Sequence, residues 1–216
     1  MSTTYTFWHG ARRWEGPPAI LPPKKGRDCG PGICVTTSFD HAQSFAKRGG
    51  AVRKIVMTPR LVLEEAALSL NDAMDFVTTV VSKAKQGDVL ERMMVRANKM
   101  RLDDRVLLGT DNEHISAEML VILCINDDLA LGSKGLALAE FLVEQGIDCS
   151  FDMEKNNQHS GTIFNPQIIH SWAHIKSVDL GDTAPELPSP ARQRELALEA
   201  LKKRKSDIVL PQTPGF

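Results

Sequence analysis

His9 and Gly10 are the first residues of the chain whose types and spacing could do chemistry. They follow the aromatic, β-prone segment Tyr5-Thr6-Phe7-Trp8, which predicts a strand. A glycine at the end of a strand lets a ligand approach the backbone and use its N–H and C=O groups. The adjacent imidazole can hydrogen-bond a sugar hydroxyl. The pair therefore fits a nucleotide pocket, although on these residues alone a surface histidine, or one satisfied within the core, is the simpler interpretation.

Arginine and phenylalanine side chains nearby would complete such a pocket. Arg12 and Arg13 can pair with phosphate groups, and Phe45 can present its face to a flat heteroaromatic ring. Residues 1–60 hold ten Lys/Arg against three Asp/Glu, which favours an anion-binding surface. The alternative is that this basic segment packs beside the acidic residues 111–188, which hold three Lys/Arg against thirteen Asp/Glu.

The composition is that of an ordinary globular protein. Of the 216 residues, 42% are hydrophobic and 25% are charged, and the net charge of −1 does not indicate a general polyanion binder. The longest apolar stretch, 119–125, is too short to cross a bilayer, and no secretory signal is visible. The four cysteines form no CxxC pair. We therefore expect a cytoplasmic protein with free thiols, no metal site and no membrane partner.

Predicted strands lie on both sides of a central helical region. Short β-prone segments predict strands over 5–8, 33–36, 51–57, 147–151, 162–165 and 173–178. Apolar periodicity predicts helices over 39–47, 73–84, 88–101, 116–125, 135–145 and 191–205. Asn71 is the predicted N-cap and Gly87 the predicted stop of the helix over 73–84, and the polar residues 152–161 are predicted to form a loop.

The order of strands, helices and strands fits an α+β fold with a helical insertion. One domain, residues 1–183, would contain the core, with the insertion at about 61–130. Residues 184–216 would form a Pro-rich linker and a basic C-terminal helix and tail. That helix has no interleaved aromatics, which favours a solvated tail, while the basic N-terminal and C-terminal segments admit nucleic acid as a partner.

Three segments of the chain occur in a characteristic order. They are Phe7-Trp8-His9-Gly10-Ala11-Arg12, then Gly32-Ile33-Cys34-Val35-Thr36 with the helix that carries Phe45, and finally Gly161-Thr162-Ile163-Phe164-Asn165-Pro166. Together they resemble the ADP-ribosyltransferase superfamily of the diphtheria-toxin and poly(ADP-ribose) polymerase type. The first is similar to the family's aromatic-His-Gly element, the second to its Gly-Ile-Tyr-Phe strand opening, and the third to its closing strand.

The resemblance covers about residues 5–58 and 135–178, and it implies a split β-sheet core that binds NAD as co-substrate. His9 would bind a ribose 2′-hydroxyl, Gly10 would hold the nicotinamide carboxamide through its backbone, and Phe45 would stack on the nicotinamide. The other residues that the resemblance places at the cofactor site are Arg12 near the phosphates and, on the second segment, Gly32, Cys34 and Thr36.

The implied reaction transfers ADP-ribose from NAD to a macromolecular acceptor, more readily a protein than a nucleic acid, and releases nicotinamide. The sequence departs from the family at two positions: its stacking tyrosine falls on Cys34, and its catalytic glutamate falls on Ser160. Glu154 and Asp152, in the adjacent polar segment, are carboxylates that could replace the glutamate. The expected catalytic set is thus His9, Glu154 and Ser160, and the alternative is a catalytically weak or inactive module that binds NAD or ADP-ribose.

Overall fold

Strands and helices alternate along the chain in the computed structural model, which describes residues 3–14, 16–21, 31–46, 50–102, 114–126, 132–155, 158–175 and 186–207. The strands in this part of the chain are β1 Tyr5–Ala11, β2 Ile33–Thr36, β3 Ala51–Met57, β4 Leu61–Val62, β5 Ala67–Ser69, β6 His114–Ser116, β7 Ile147–Lys155, β8 Gln158–Ile163 and β9 Ile169–Ile175. The helices are α1 Phe39–Ala46, α2 Leu70–Val80, α3 Lys83–Leu102, α4 Ala117–Asn126, α5 Gly132–Glu144 and α6 Pro190–Asp207.

The main sheet interleaves the two ends of the chain. Its seven strands lie in the order β4-β7-β8-β2-β1-β3-β9. The β4–β7 pair is parallel and every other neighbouring pair is antiparallel. The late strand β8 therefore lies beside the early strand β2, and β9 lies beside β3. The mixed sheet with segregated helices confirms the predicted α+β class.

The two halves of this sheet are joined weakly. All seven residues of β1 pair with β3, from Tyr5 opposite Met57 to Ala11 opposite Ala51. Between β1 and β2 the register holds a single pair, Trp8 opposite Thr36. The half β4-β7-β8-β2 and the half β1-β3-β9 thus share one backbone pair, and we call the space between β1 and β2 the split.

The two faces of the sheet carry different clusters, because successive side chains of a strand point to opposite faces. Trp8 packs with Phe39 and Ala42 of α1, and its ring meets that of Phe39 edge-on at 5.2 Å. We call this side the α1 face. Phe7 and Ile55 belong to a larger apolar cluster on the opposite face. Alternation in β1 therefore places Gly10 on the α1 face and His9 on the other.

The helices α2 to α5 form a helical block with its own core, to which the two-stranded sheet β5-β6 contributes. The rings of Phe76 and Phe141 stack at 4.7 Å between α2 and α5. The predicted insertion at 61–130 is therefore not wholly helical, since β4, β5 and β6 lie within it. Strands of two or three residues are too short to show a periodic pattern. Residues 103–113 and 127–130 of the insertion lie outside the described residues.

Both predicted ends of the helix over 73–84 are wrong. Ser69, not Asn71, is the N-cap, and its hydroxyl accepts from the Asp72 N–H at 3.4 Å. The helix ends at Val80, where Val81 turns extended, so Gly87 lies inside α3 instead of stopping α2. A glycine stops a helix by adopting a positive φ, and Gly87 does not have one.

The predicted loop over 152–161 is also wrong, because β7 and β8 continue through it as an antiparallel hairpin. Their register runs from Cys149 opposite Ile163 to Lys155 opposite Gln158, with a bulge between Ser150 and Met153. Backbone pairing with β8 stabilises these polar residues as a strand, which their composition does not reveal. The last predicted strand begins earlier than expected, at Ile169, and residues 176–178 lie outside the described residues.

Asp148 ties several of these elements together. Its fully buried carboxylate accepts from the Arg60 backbone N–H at 2.7 Å, from the Arg60 guanidinium at 2.7 Å and from the Asn165 amide at 2.7 Å. Burial by itself would raise the pKa of Asp148, but the hydrogen bonds from Arg60 and Asn165 outweigh it and hold the pKa below its usual value. The carboxylate therefore acts as an anionic clamp between the start of β4, β7 and the end of β8.

Candidate functional site

The His9 side chain extends from β1 across the split to β2. Its Nδ1 lies 2.6 Å from the Cys34 carbonyl oxygen on β2, at the point where pairing between β1 and β2 has already ended. A carbonyl oxygen only accepts, so Nδ1 carries the proton. In a neutral imidazole Nε2 is then the acceptor. This is the tautomer that can accept a hydrogen bond from a sugar hydroxyl.

Trp14 and Arg53, which sequence reasoning missed, hold the His9 ring in place. The Trp14 ring meets the His9 ring edge-on at 4.8 Å. Arg53 lies directly opposite His9 on β3, and its guanidinium lies 5.2 Å from the centre of the Trp14 ring. Arg53 Nη1 also donates to the Trp172 carbonyl oxygen at 3.1 Å. Arg53 is placed opposite His9 by the register of β1 and β3, and Trp14 is placed by the path of the chain after β1, so neither follows from a spacing motif.

Gly10 lies directly against α1. A Cβ at this position would be 1.6 Å from the Ala42 carbonyl oxygen, so no side chain fits. Four residues before Gly10 on the same strand, the Thr6 N–H donates to the Gln193 side-chain oxygen. The Thr6 carbonyl oxygen accepts from the Gln193 amide, and both bonds lie on the side of β1 away from β3. Backbone groups alternate in direction along a strand. Those of Gly10 therefore point away from β3 and into the split, where a ligand could use them.

Phe45 belongs to α1 and lies about one helical turn after Ala42. It is 58% exposed. The Phe45 ring packs edge-on against His41 at 5.0 Å. The structure does not bring it onto the His9 ring, because His9 belongs to the opposite face of β1. The two rings lie on either side of Gly10, and the exposed face of Phe45 is available for stacking.

Cys34, Thr36 and Ser160 come together on the α1 face. Residues that lie directly opposite each other on neighbouring strands have their side chains on the same face of the sheet. The register of the strands therefore arranges the side chains of this face in two rows that run across the sheet. The first row is Trp8, Thr36, Ser160 and Met153, and the second is Cys34, Thr162 and Ser150. Ser160 is partly exposed and stands one strand away from the split. The third of the three segments thus lies beside the second.

Glu154 lies near Ser160 in the register of β7 and β8. The residue opposite Ser160 on β7 is Met153, and Glu154 lies one position further along, opposite His159.

Gly32 has a packing role: a Cβ there would lie 2.4 Å from the Thr162 methyl group and 2.6 Å from the Ile163 carbonyl oxygen. Arg12 is exposed immediately after β1, next to the split.

Sequence reasoning also missed a carboxylate at the end of the second row. Glu64, in a short 3-10 helix after β4, accepts from the Ser150 hydroxyl at 2.5 Å and from the Phe151 N–H at 2.9 Å. Pairing between β4 and β7 ends at Val62 opposite Cys149, so Glu64 satisfies β7 backbone beyond the end of β4. A single glutamate after an apolar pair carries no motif by which it could have been found.

The cysteines are free thiols in the described residues: Cys34, Cys124 and Cys149 form no disulfide, and Cys29 lies outside them. Burial raises the pKa of the Cys149 thiol, and the nearby carboxylates of Glu64 and Asp148 raise it further. Cys149 is therefore an inert core residue. At Cys34, the contact from His9 is made to the backbone carbonyl oxygen.

The C-terminal helix begins as a docked element, in contrast to the predicted solvated tail. Besides the two bonds of Gln193, Arg194 donates to the Tyr5 hydroxyl at 3.2 Å and pairs with Glu65 at 2.7 Å. Further along α6, Leu196, Leu198 and Leu201 are exposed. Residues 184–185 and 208–216 lie outside the described residues.

None of the helices in the described part of the chain has the length and apolar character needed to cross a membrane. No protein-family model, curated protein or solved structure matches the chain. Function is therefore inferred from the geometry around the split.

Proposed function

We propose that this chain is an ADP-ribosyltransferase-like protein on a split-sheet core. It would transfer ADP-ribose from NAD to a macromolecular acceptor, more readily a protein than a nucleic acid, and release nicotinamide. One observation carries the proposal: the three segments that resemble the family meet at the split. His9 of β1 is bonded to Cys34 of β2, Gly10 abuts the helix of Phe45, and Ser160 of β8 lies opposite Thr36.

The residues around the split have the chemistry that NAD binding needs. A neutral His9 ring that carries its proton on Nδ1 has an acceptor nitrogen of the kind that pairs with a ribose hydroxyl. The Gly10 backbone can pair with a carboxamide, because its N–H and C=O point into the split. The exposed Phe45 ring can stack on nicotinamide, and the exposed guanidinium of Arg12 can approach a diphosphate.

The transfer breaks the bond between ribose C1′ and the nicotinamide nitrogen, and the electron pair leaves with nicotinamide. The ribose becomes an oxocarbenium ion, whose positive charge a nearby carboxylate would stabilise. A nucleophile of the acceptor then forms a new bond to C1′ and loses a proton. His9 and Gly10 bind and orient the dinucleotide for this step.

A second candidate function is favoured by Ser160 itself. Its neutral hydroxyl occupies the position at which the resembling family carries a glutamate, and a hydroxyl neither stabilises a cation well nor acts as a strong base. A module that binds NAD or ADP-ribose without efficient transfer would have this feature. The two candidates share the binding site and differ only in turnover.

The test compares the wild type with His9→Ala, using labelled NAD and cell extract for transfer and calorimetry for binding. Loss of one hydrogen bond to the ribose should weaken NAD binding by about tenfold and reduce transfer at least as much. His170→Ala is the matched control, because His170 is exposed on β9, two strands away from β1. Binding without transfer by the wild type would favour the binding module, and absence of NAD and ADP-ribose binding would overturn both candidates.

A further inference from the structure

We propose that β9 pairs with the β9 of a second copy of this chain, antiparallel and with the two Trp172 residues opposite each other. Within the described residues β9 has one strand neighbour, β3, and it ends the row of seven strands. The N–H and C=O groups on the outer side of an end strand are a template for a further strand. Because β9 lies two strands away from β1, this pairing is independent of the proposed reaction.

The outer edge of β9 has none of the residues that usually keep two sheets apart. End strands are commonly short, or they carry lysine, another charge or a proline. The seven residues of β9, Ile-His-Ser-Trp-Ala-His-Ile, include no proline and no charged lysine, arginine, aspartate or glutamate. Four of them are exposed: His170, Trp172, Ala173 and His174. At the other end of the sheet β4 has only two residues, so β9 is the end at which the sheet can be extended.

Most of β9 is regular enough to accept a new strand. Its pairing with β3 shifts between Val56 and Met57, where His170 is the extra residue, and then runs without a break from Ser171 to Ile175. Arg53 donates to the Trp172 carbonyl oxygen. A carbonyl oxygen has a second lone pair, so this bond still allows it to accept from another strand.

The residue order of β9 is nearly the same in both directions, which is what pairing with an identical strand requires. A two-fold interface must be complementary to itself. With the two Trp172 residues opposite each other, the remaining pairs join residues of similar size or chemistry: Ser171 with Ala173, His170 with His174, and Ile169 with Ile175. Aromatic pairs directly across two strands stabilise a sheet, and neutral imidazoles can donate to one another. This register therefore gives every residue of β9 a compatible partner.

The distribution of charge also permits two copies to meet at this edge. The cations closest in the strand register are Arg53 and Lys54 on β3, opposite His174 and Ala173. In the paired sheet, β3 of one copy would lie three strand spacings from β3 of the other, which is about 14 Å. The Debye length at physiological ionic strength is about 8 Å. Salt therefore screens most of the repulsion between the two β3 strands.

The dimer is expected to be weak. A strand of this length extends for about 23 Å, and pairing two such edges makes a smaller contact than a standard protein interface. We expect monomer and dimer to exchange with a dissociation constant on the order of 10 μM.

The first test determines the register by disulfide formation. Ser171→Cys protein is mixed with mass-tagged Ala173→Cys protein under mild oxidation, and each variant is also oxidised alone. Directly opposite residues of an antiparallel pair have Cα atoms about 4.5–5.5 Å apart, whereas residues two places away are about 7–8 Å apart, which is too far for a disulfide. We expect the mixture to form a dimer that joins one copy of each variant, with little product from either variant alone.

The second test places a charge on the edge. In Ala173→Lys, two lysines enter the interface, and the dissociation constant of the dimer should rise by about tenfold or more. Ala84→Lys is the matched control, because Ala84 is exposed on α3, and it should leave the dissociation constant unchanged. Analytical ultracentrifugation measures both variants, and thermal melting shows whether each is folded.

Three results would overturn the proposed dimer. The first is a wild type that stays monomeric at concentrations far above 10 μM, as about 1 mM would be. The second is a dimer that Ala173→Lys leaves intact, because its interface would then lie elsewhere. The third is disulfide formation by one cysteine variant alone, because the strands would then pair in a different register. If Ala173→Lys does not fold, the disulfide result decides.

Discussion

At the scale of single residues, the candidate site contains one histidine that the sequence identifies. The residues that surround this histidine are seen only in the structure. His9 attracts notice because an aromatic strand precedes it and a glycine follows. The ring orientation depends on Cys34, Trp14 and Arg53, which lie 5 to 44 positions away along the chain. Such contacts follow from strand register, and register is set by distant pairing partners. The residue type was predictable, but its tautomer was not.

Gly10 gives a residue-scale prediction for stability. The Ala42 carbonyl oxygen occupies the Cβ position, so Gly10→Ala forces the α1 backbone to shift. We expect a loss of about 1–3 kcal/mol, which would lower the melting temperature of a chain this size by roughly 3–10 °C.

Gly87→Ala is the matched control for that variant. Gly87 lies within α3 with nothing inside 4 Å of its Cβ position, so alanine should be neutral or stabilise the protein by about 0.5–1 kcal/mol. Calorimetric melting measures both. Equal melting temperatures for Gly10→Ala and the wild type would contradict the close packing of α1 on β1.

At the scale of elements, α6 completes a strand that the sheet leaves partly unpaired. The Gln193 amide donates to the Thr6 carbonyl at 2.9 Å and accepts from the Thr6 N–H at 2.7 Å, as a neighbouring strand would. Basic composition and the Pro-rich linker predict a solvated helix here. Long-range docking by one glutamine leaves no periodic signal, which explains why the prediction was wrong.

Gln193→Ala should therefore destabilise the whole domain, not only the C-terminal helix. It removes the partners of the Thr6 N–H and C=O, which is expected to cost about 1–3 kcal/mol. Arg192→Ala, one position earlier, removes only ion pairs on the exposed surface with Glu195 and Glu199, and it should change the free energy of unfolding far less because water screens exposed pairs. Urea unfolding of both variants is the measurement, and equal midpoints would show that α6 does not support β1.

The elements that the sequence predicted well are those with a local cause. The helix over 39–47 appears as α1 because Phe39, Ala42 and Ala46 form one buried side, and the strand over 51–57 appears unchanged as β3. The β7–β8 hairpin was missed because its tip is polar and its order comes from backbone pairing. A local sequence pattern predicts a helix or strand only where the apolar side chains of that element itself form its buried face.

At the scale of the whole molecule, Asp148 connects stability to pH. Its pKa is lowered in the folded state, so its contribution is present above the unfolded value and is lost as the pH falls through the folded value. The ordinary value for aspartate is about 3.9. Stability should therefore decline as the pH falls below about 4.

Asp148→Asn isolates this effect. The variant is less stable than the wild type near neutral pH, because Arg60 loses its anionic partner, and the difference between the two proteins should shrink on acidification. Denaturant midpoints measured from pH 7 downwards give the comparison. A difference that stays constant with pH would show that another group controls acid unfolding.

The arrangement of the whole sheet was only partly predictable. The structure places β1, β2 and β8, which carry the three segments, side by side. The residues that lie opposite one another, such as Met153 and Ser160, depend on strand register and cannot be read from spacing along the chain.

The single pair between Trp8 and Thr36 has a mechanical consequence. Backbone pairing between the neighbouring strands β1 and β2 is limited to this pair, while the His9–Cys34 hydrogen bond and the apolar cluster that holds Phe7 and Val35 also join the two halves. A ligand that contacts β1 and β2 at once would add to these links, so its binding and the opening of the split would be thermodynamically coupled.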